Sequence, residues 1–148
     1  MTMAAQHEKV NGMRTRFALG LSEVETAVRA GCVEAQNQGW TVTIAVVGDP
    51  GTLIQLSRMD EASPASVTTA TEKARSAALT GIETKILEAL VKDRPALVTM
   101  GRVSIEGGVP IFYQGQKVGG IGVSGVQSQQ DAQIANAALA ALITALDA

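Results

Sequence analysis

Trp40-Thr41-Val42-Thr43-Ile44-Ala45-Val46-Val47-Gly48-Asp49-Pro50-Gly51-Thr52-Leu53-Ile54-Gln55-Leu56-Ser57 is the stretch on which the fold turns. From Trp40 to Val47 the even positions carry large apolar side chains and the odd ones smaller residues. That is the period of a half-buried strand. Gly48 to Gly51 form a turn of four residues, and Thr52 to Ser57 reads as the returning strand of a hairpin.

Working outward from this hairpin, the segment before it has a helical period. Leu21, Val24, Val28, Cys32 and Ala35 mark one face, Ser22 and Glu25 have capping-box spacing at the start, and Gly39 supplies the stop. Beyond the hairpin, a loop with Pro64 leads to a second helix near Ser66, with Val67, Ala70, Ala74 and Ala77 on one side. Gly81 punctuates it. Ile82, Ile86, Leu90 and Val91 then define a shorter helix closed by Pro95. Leu97 to Ile105 reads as a weak strand broken by Gly101. Val109–Tyr113 and Gln116–Val123 flank Gln114-Gly115 as a second hairpin. Ser128 opens a last helix along Ile134, Ala138, Leu142 and Leu146. The two hairpins predict an α+β fold, a mostly antiparallel sheet of about five strands covered by helices. Residues 1–18 show no clear period and are expected to be a flexible N-terminal arm on a single domain, 19–148.

The chain has 148 residues, a length suited to one domain. Its 46% hydrophobic but only 3% aromatic composition requires a core of Ala, Val, Leu and Ile. Fourteen acids against 12 bases, with no basic run, argue against nucleic acid as a partner. No stretch of about 18 apolar residues is present, so no membrane partner is expected. The polar start, Met1 to Asn11, lacks the apolar centre of a secretory signal, so the expected compartment is the cytoplasm. Cys32 is the only cysteine and His7 the only histidine. This excludes an internal disulfide, makes a structural zinc site untenable and leaves no Ser-His-Asp or Cys-His arrangement to build. No metal ligands are assigned. Cys32, within its helical pattern, is expected to be a buried structural thiol.

Four segments in series resemble the GlcG/HbpS-like family, which also includes the C-terminal domain of PduO-type proteins. They are Ala45–Gly51 with Ser57-Arg58-Met59-Asp60; Thr71-Glu72-Lys73-Ala74-Arg75-Ser76-Ala77; Gly107-Gly108-Val109-Pro110-Ile111; and Val118–Gly125 leading to Gln130-Asp131. The match spans residues of about 20 to 146. It implies a profilin-like layered fold, a homo-oligomer and a small-molecule ligand, with haem as a cofactor in some members. Where Arg-Met-Asp is commonly followed by Gly in this family, the present chain has Glu61, and Glu106 stands directly before the double glycine.

Gly120-x-Gly122-x-x-Gly125 matches the dinucleotide fingerprint in form. That site also needs a following parallel strand and an acid about twenty residues on, and only one helix follows here. The glycines read instead as a close approach of sheet and helix. The amides near Ser124 to Ser128, at the N-terminus of the last helix, are a candidate seat for a carboxylate or phosphate. Gly107 and Gly108 at a strand entrance leave room for a ligand or a neighbouring subunit. Arg58, Asp60 and Glu61 form either a surface ion pair or, through the Arg58 donors, a ligand anchor. Lys73 is either solvated or ion-paired, or a desolvated base. Two functions follow. The first is an oligomeric small-ligand-binding protein, the ligand being haem or another tetrapyrrole, with Arg58, Asp60, Gly107, Gly108, Ser124 and Gly125 at the site. Candidate iron ligands are then Met59, Met100, Tyr113, Cys32 and His7. The alternative is a cofactor-independent enzyme acting on a small carboxylated or aromatic metabolite, with Lys73, Glu106, Asp131 and Tyr113 as acid or base.

Overall fold

The structure, a computed structural model, describes residues 9–148. Its elements are β1 (Lys9–Val10), β2 (Met13–Arg14), α1 (Leu21–Gln38), β3 (Thr43–Gly48), β4 (Leu53–Arg58), α2 (Ala65–Thr80), α3 (Thr84–Asp93), a 3-10 helix (Pro95–Met100), β5 (Gly108–Tyr113), β6 (Gln116–Ser124) and α4 (Ser128–Leu146). β3 to β6 make a four-stranded antiparallel sheet in the order β4-β3-β6-β5, while β1 and β2 pair only with each other. The α+β class and the antiparallel sheet hold, with four strands in the main sheet.

The expected strand across Leu97–Ile105 is instead the 3-10 helix and a loop. Pro95 occupies its first turn, and Thr99 Oγ1 bonds back to the Ala96 carbonyl at 2.8 Å. A strand also needs a free edge to pair with. The outer edge of β5 is already engaged where the Gly108 N–H donates to Thr84 Oγ1 (2.8 Å), and two residues on the alternation brings Pro110, which has no N–H to offer. The capping box expected at Ser22 is absent as well. α1 begins at Leu21 after Gly20 without a side-chain cap. Gly39 and Gly81 end α1 and α2 in the left-handed conformation, as their positions predicted.

The sheet separates two unlike layers. On one face, α1 and α4 bury Val24, Val28, Ile134 and Leu142 against Ile44, Val46, Ile111, Ile121 and Val123. On the other, α2 lays Ala70, Ala74 and Ala78 on Ala45 and Val47. Here the helix backbone nearly touches the sheet. A Cβ on Gly122 would collide with the Ala70 carbonyl, and one on Gly120 with that of Ala74. Cys32 is half-buried against the larger core, and burial pushes its thiol pKa up, which keeps it in the unreactive form.

Candidate functional site

The register gathers several motifs at one end of the sheet. Arg58, Thr43 and Ser124 stand in one row across β4, β3 and β6, and Gly108 opposite Gly122 begins β5 close by. At this end Lys73 of α2 crosses from one helical layer to the other. Its Nζ donates to the Val123 carbonyl (3.0 Å) at the end of β6 and to Asp131 Oδ2 (3.1 Å) on α4. Both side chains are almost completely enclosed, at 2% and 3% exposure, so this is a buried ion pair stapling α2 to α4 around the end of the sheet. Asp131 Oδ1 meanwhile accepts the Val126 N–H at 3.1 Å, which ties down the turn into α4. Burial pushes the Asp131 carboxyl pKa up, while the Lys73 charge, the Val126 N–H and the hydrogen bond from Lys73 pull it back.

Gly107 makes this crossing sterically feasible. It sits at φ +131°, in a region that L side chains avoid, and its carbonyl accepts the Val123 N–H at 3.0 Å. A Cβ there would stand 2.8 Å from Lys73 Nζ, 2.8 Å from the Val123 carbonyl oxygen and 3.1 Å from Asp131 Cβ. Gly108 is held from the outside by Thr84, which is fully buried at the start of α3.

Above this glycine pair opens a cavity of about 310 Å³. Its walls are Glu83 and Lys85 at the base of α3, Glu106 to Val109 on the way into β5, and Gln129, Ala132, Gln133 and Asn136 along α4. Glu106 is mostly enclosed, at 14% exposure, and lies 3.8 Å from Lys85, whose own side chain is largely in solvent. The Glu106 N–H donates to Glu88 Oε2 at 3.2 Å, which fixes the loop to α3. The walls are therefore polar: two carboxylates, one ammonium and three side-chain amides. The volume lies at the lower end of the usual range for ligand pockets.

The sequence-derived candidates divide between this site and the rest of the molecule. Glu106, Gly107 and Gly108 line the cavity, and Lys73 and Asp131 lie beneath Gly107. Ser124 and Gly125 are at the same end of the sheet but outside the lining. Arg58 and Asp60 lie on the far edge strand and its following turn, exposed; three strand spacings separate β4 from β5, roughly 14 Å. Arg58 Nε donates to the Ala62 carbonyl (3.0 Å), closing the turn in which Glu61 takes a left-handed φ of +68°. A glycine at this place would take that conformation without strain. Tyr113 is at the opposite end of β5, edge-on to Phe17 with ring centroids 5.4 Å apart. His7 lies outside the described residues. Glu83, Lys85, Gln129, Gln133 and Asn136 were not foreseen. The last three recur at helical spacing on α4, and that polar stripe was the signal available for finding them.

Comparison with known proteins agrees with this architecture. The family described as "Haem degrading protein HbpS-like" matches residues 19–140. Protein GlcG of Escherichia coli K12 is 46% identical over 114 residues, covering 76% of this chain and 85% of that protein. The corrinoid adenosyltransferase PduO of Citrobacter freundii is 30% identical over 132 residues, but these make up only 39% of that longer protein. Among solved structures, a double variant of Streptomyces reticuli HbpS superposes with a TM-score of 0.84 at 30% identity, covering 93% of this chain and 96% of that one. The PduOC–heme complex superposes with a TM-score of 0.80 at 28% identity, covering 84% and 95%. The chain belongs to the HbpS-like family.

Proposed function

We propose that this chain is a small-ligand-binding protein working as a homo-oligomer in the cytoplasm, with the cavity over Gly107 and Gly108 as its ligand seat. The observation that carries the reading is the coincidence of that polar cavity with a rigid floor. The glycine turn, the buried Lys73–Asp131 pair and the Thr84 hydrogen bond hold the backbone in place before any ligand arrives. A single cysteine fits a reducing compartment. Among the described residues no helix is long and apolar enough to cross a membrane.

Haem or another tetrapyrrole is the ligand class that the relatives favour, since PduOC was solved with heme and the family description names haem. The cavity itself does not fit a haem. It offers no His, Cys, Met or Tyr to an iron. The structure supports a small, hydrogen-bonding ligand in this cavity. Haemin titration of the purified protein tests the two against each other. A shifted Soret band that survives Gln133→Trp, which places an indole in the cavity, assigns haem to another surface. A shifted band lost in that variant overturns the small-ligand assignment.

An acid–base enzyme is the second reading, favoured by the mostly enclosed Glu106 carboxylate in the cavity wall. Lys73 and Asp131 are committed to each other below the floor, and Tyr113 is at the far end of β5, so Glu106 is the one candidate in contact with the cavity. Turnover of small carboxylated or aromatic metabolites that disappears in Glu106→Gln while the fold persists supports this reading. Equal turnover in the variant rejects it.

A further inference from the structure

The hydrogen-bonding groups around the cavity over Gly107 and Gly108 are unevenly spent. Glu106 is its enclosed charge, at 14% side-chain exposure, and no donor among the described residues hydrogen-bonds its carboxylate. Lys85 Nζ stands 3.8 Å away, beyond hydrogen-bond reach, and its side chain is 71% exposed. The donors nearby are already engaged. The Glu106 N–H donates to Glu88 and the Gly108 N–H to Thr84, while Lys73 beneath the floor is committed to Val123 and Asp131. On α4, Gln133 Nε2 donates to Glu34 Oε1 at 2.8 Å and Asn136 Nδ2 to the Ala132 carbonyl at 2.9 Å. The oxygens of those two amides, Gln133 Oε1 and Asn136 Oδ1, accept nothing among the described residues. With Glu83 the lining therefore offers two carboxylates and two free amide oxygens. Against them stand one ammonium turned to solvent and the Gln129 amide. An enclosed anion short of donors is costly to leave unmatched.

We propose that the cavity takes a small organic cation that donates N–H bonds, a primary ammonium or a guanidinium, with Glu106 as its charge partner. This identification rests on the reading of the cavity as the ligand seat. Such a group supplies both things the lining lacks, a positive charge and several donors. A quaternary ammonium fits poorly, because it donates nothing and no aromatic ring lines the cavity to face it. Among the described residues no group of three His, Cys, Asp or Glu side chains is placed to hold a metal ion instead. An anionic ligand would meet Glu83 and Glu106 with like charge. Lys85, the nearest cation to Glu106, competes with the ligand for it.

Nuclear magnetic resonance titration of the isotope-labelled full chain, followed at the Gly107 and Gly108 amides, tests the assignment. The probes are n-propylguanidine, n-butylamine, tetramethylammonium and n-butyrate at constant ionic strength. Saturable shifts are expected with the first two, binding weaker by about tenfold or more with tetramethylammonium, and no shift with butyrate. Glu106→Gln keeps the N–H that bonds Glu88 and should weaken propylguanidine binding by about tenfold or more. Lys85→Met should strengthen it several-fold by removing the competitor. A merely structural Glu106 gives no such gain, so the Lys85 variant keeps the test decisive if Glu106→Gln fails to fold. Unchanged or weaker binding in Lys85→Met overturns the proposal, as does equal affinity in a folded Glu106→Gln. Butyrate binding in place of the cations overturns it too, but leaves the cavity as a ligand seat. Silence at both glycines with all four probes overturns the cation assignment and the ligand seat together.

Discussion

α2 and α3 follow each other in the chain and invert the usual relation between a helix's composition and its burial. α2 has no large aliphatic side chain on the face that meets the sheet. It is nonetheless the most deeply set helix, with Ala70, Ala74, Ala77 and Ala78 fully enclosed and a lysine among them. α3 has the Ile and Leu stripe of a core helix and keeps half of it in solvent. The difference shows that burial depends on the partner surface as well as on the stripe. Gly120 and Gly122 remove the side chains from β6 where α2 lies, so small residues reach packing distance there, and dispersion contacts at that distance replace large side chains. α3 lies beside the edge strand β5, where no sheet face remains to receive it.

The comparison can be broken first at Lys73. Lys73→Met leaves Asp131 buried without its partner and is expected to lower stability by about 3–5 kcal/mol in urea unfolding. Replacing both groups, Lys73→Met with Asp131→Leu, should recover most of that loss. A single variant as stable as the wild type would show that the pair contributes nothing to the α2 packing. Next in size is Gly122→Ala, which must push α2 away from the sheet and is expected to cost about 2–3 kcal/mol. An unchanged midpoint would mean that the close approach is dispensable.

A smaller effect concerns pH. The folded Asp131 pKa stands above its ordinary value, so the protonated form is the one favoured by the fold. Its stabilising contribution is full below the ordinary carboxylate value of about 3.9 and is lost as pH rises through the raised folded value. The melting temperature of the wild type, measured against the Lys73→Met/Asp131→Leu variant, should therefore fall as the pH rises through that window. A rising difference would refute the direction. The smallest effect belongs to α3. Ile86→Ser and Leu90→Ser should each change the unfolding free energy of the isolated monomer by no more than about 0.5 kcal/mol, because neither is enclosed within one chain. A large loss in the monomer would place those side chains in an internal core.

Legibility in the sequence followed the same division. The Trp40–Ser57 hairpin was readable because alternation and turn residues act locally, and Gly39 and Gly81 marked helix ends for an equally local reason. Leu97–Ile105 misled, since the edge its strand-like residues would have to pair with is already closed by Thr84 and Pro110. Of the candidate site, Gly107, Gly108 and Glu106 were legible from the irregular backbone that two glycines announce. Lys73 stood out as a cation on a small-residue helix, yet nothing local distinguishes a solvated lysine from one that reaches across the sheet to Asp131, 58 residues on.

The sequence by itself determined the α+β class, the two hairpins and the helix positions. Each of these depends on periodicity or on the presence of particular residue types. The tertiary structure alone decided that Lys73 and Asp131 pair beneath Gly107, that Arg58 and Asp60 lie on the far edge strand away from the cavity, and that the Ile and Leu of α3 stay exposed. Those outcomes depend on which surfaces meet across the sheet, and distance in space is not written in the local pattern of a chain.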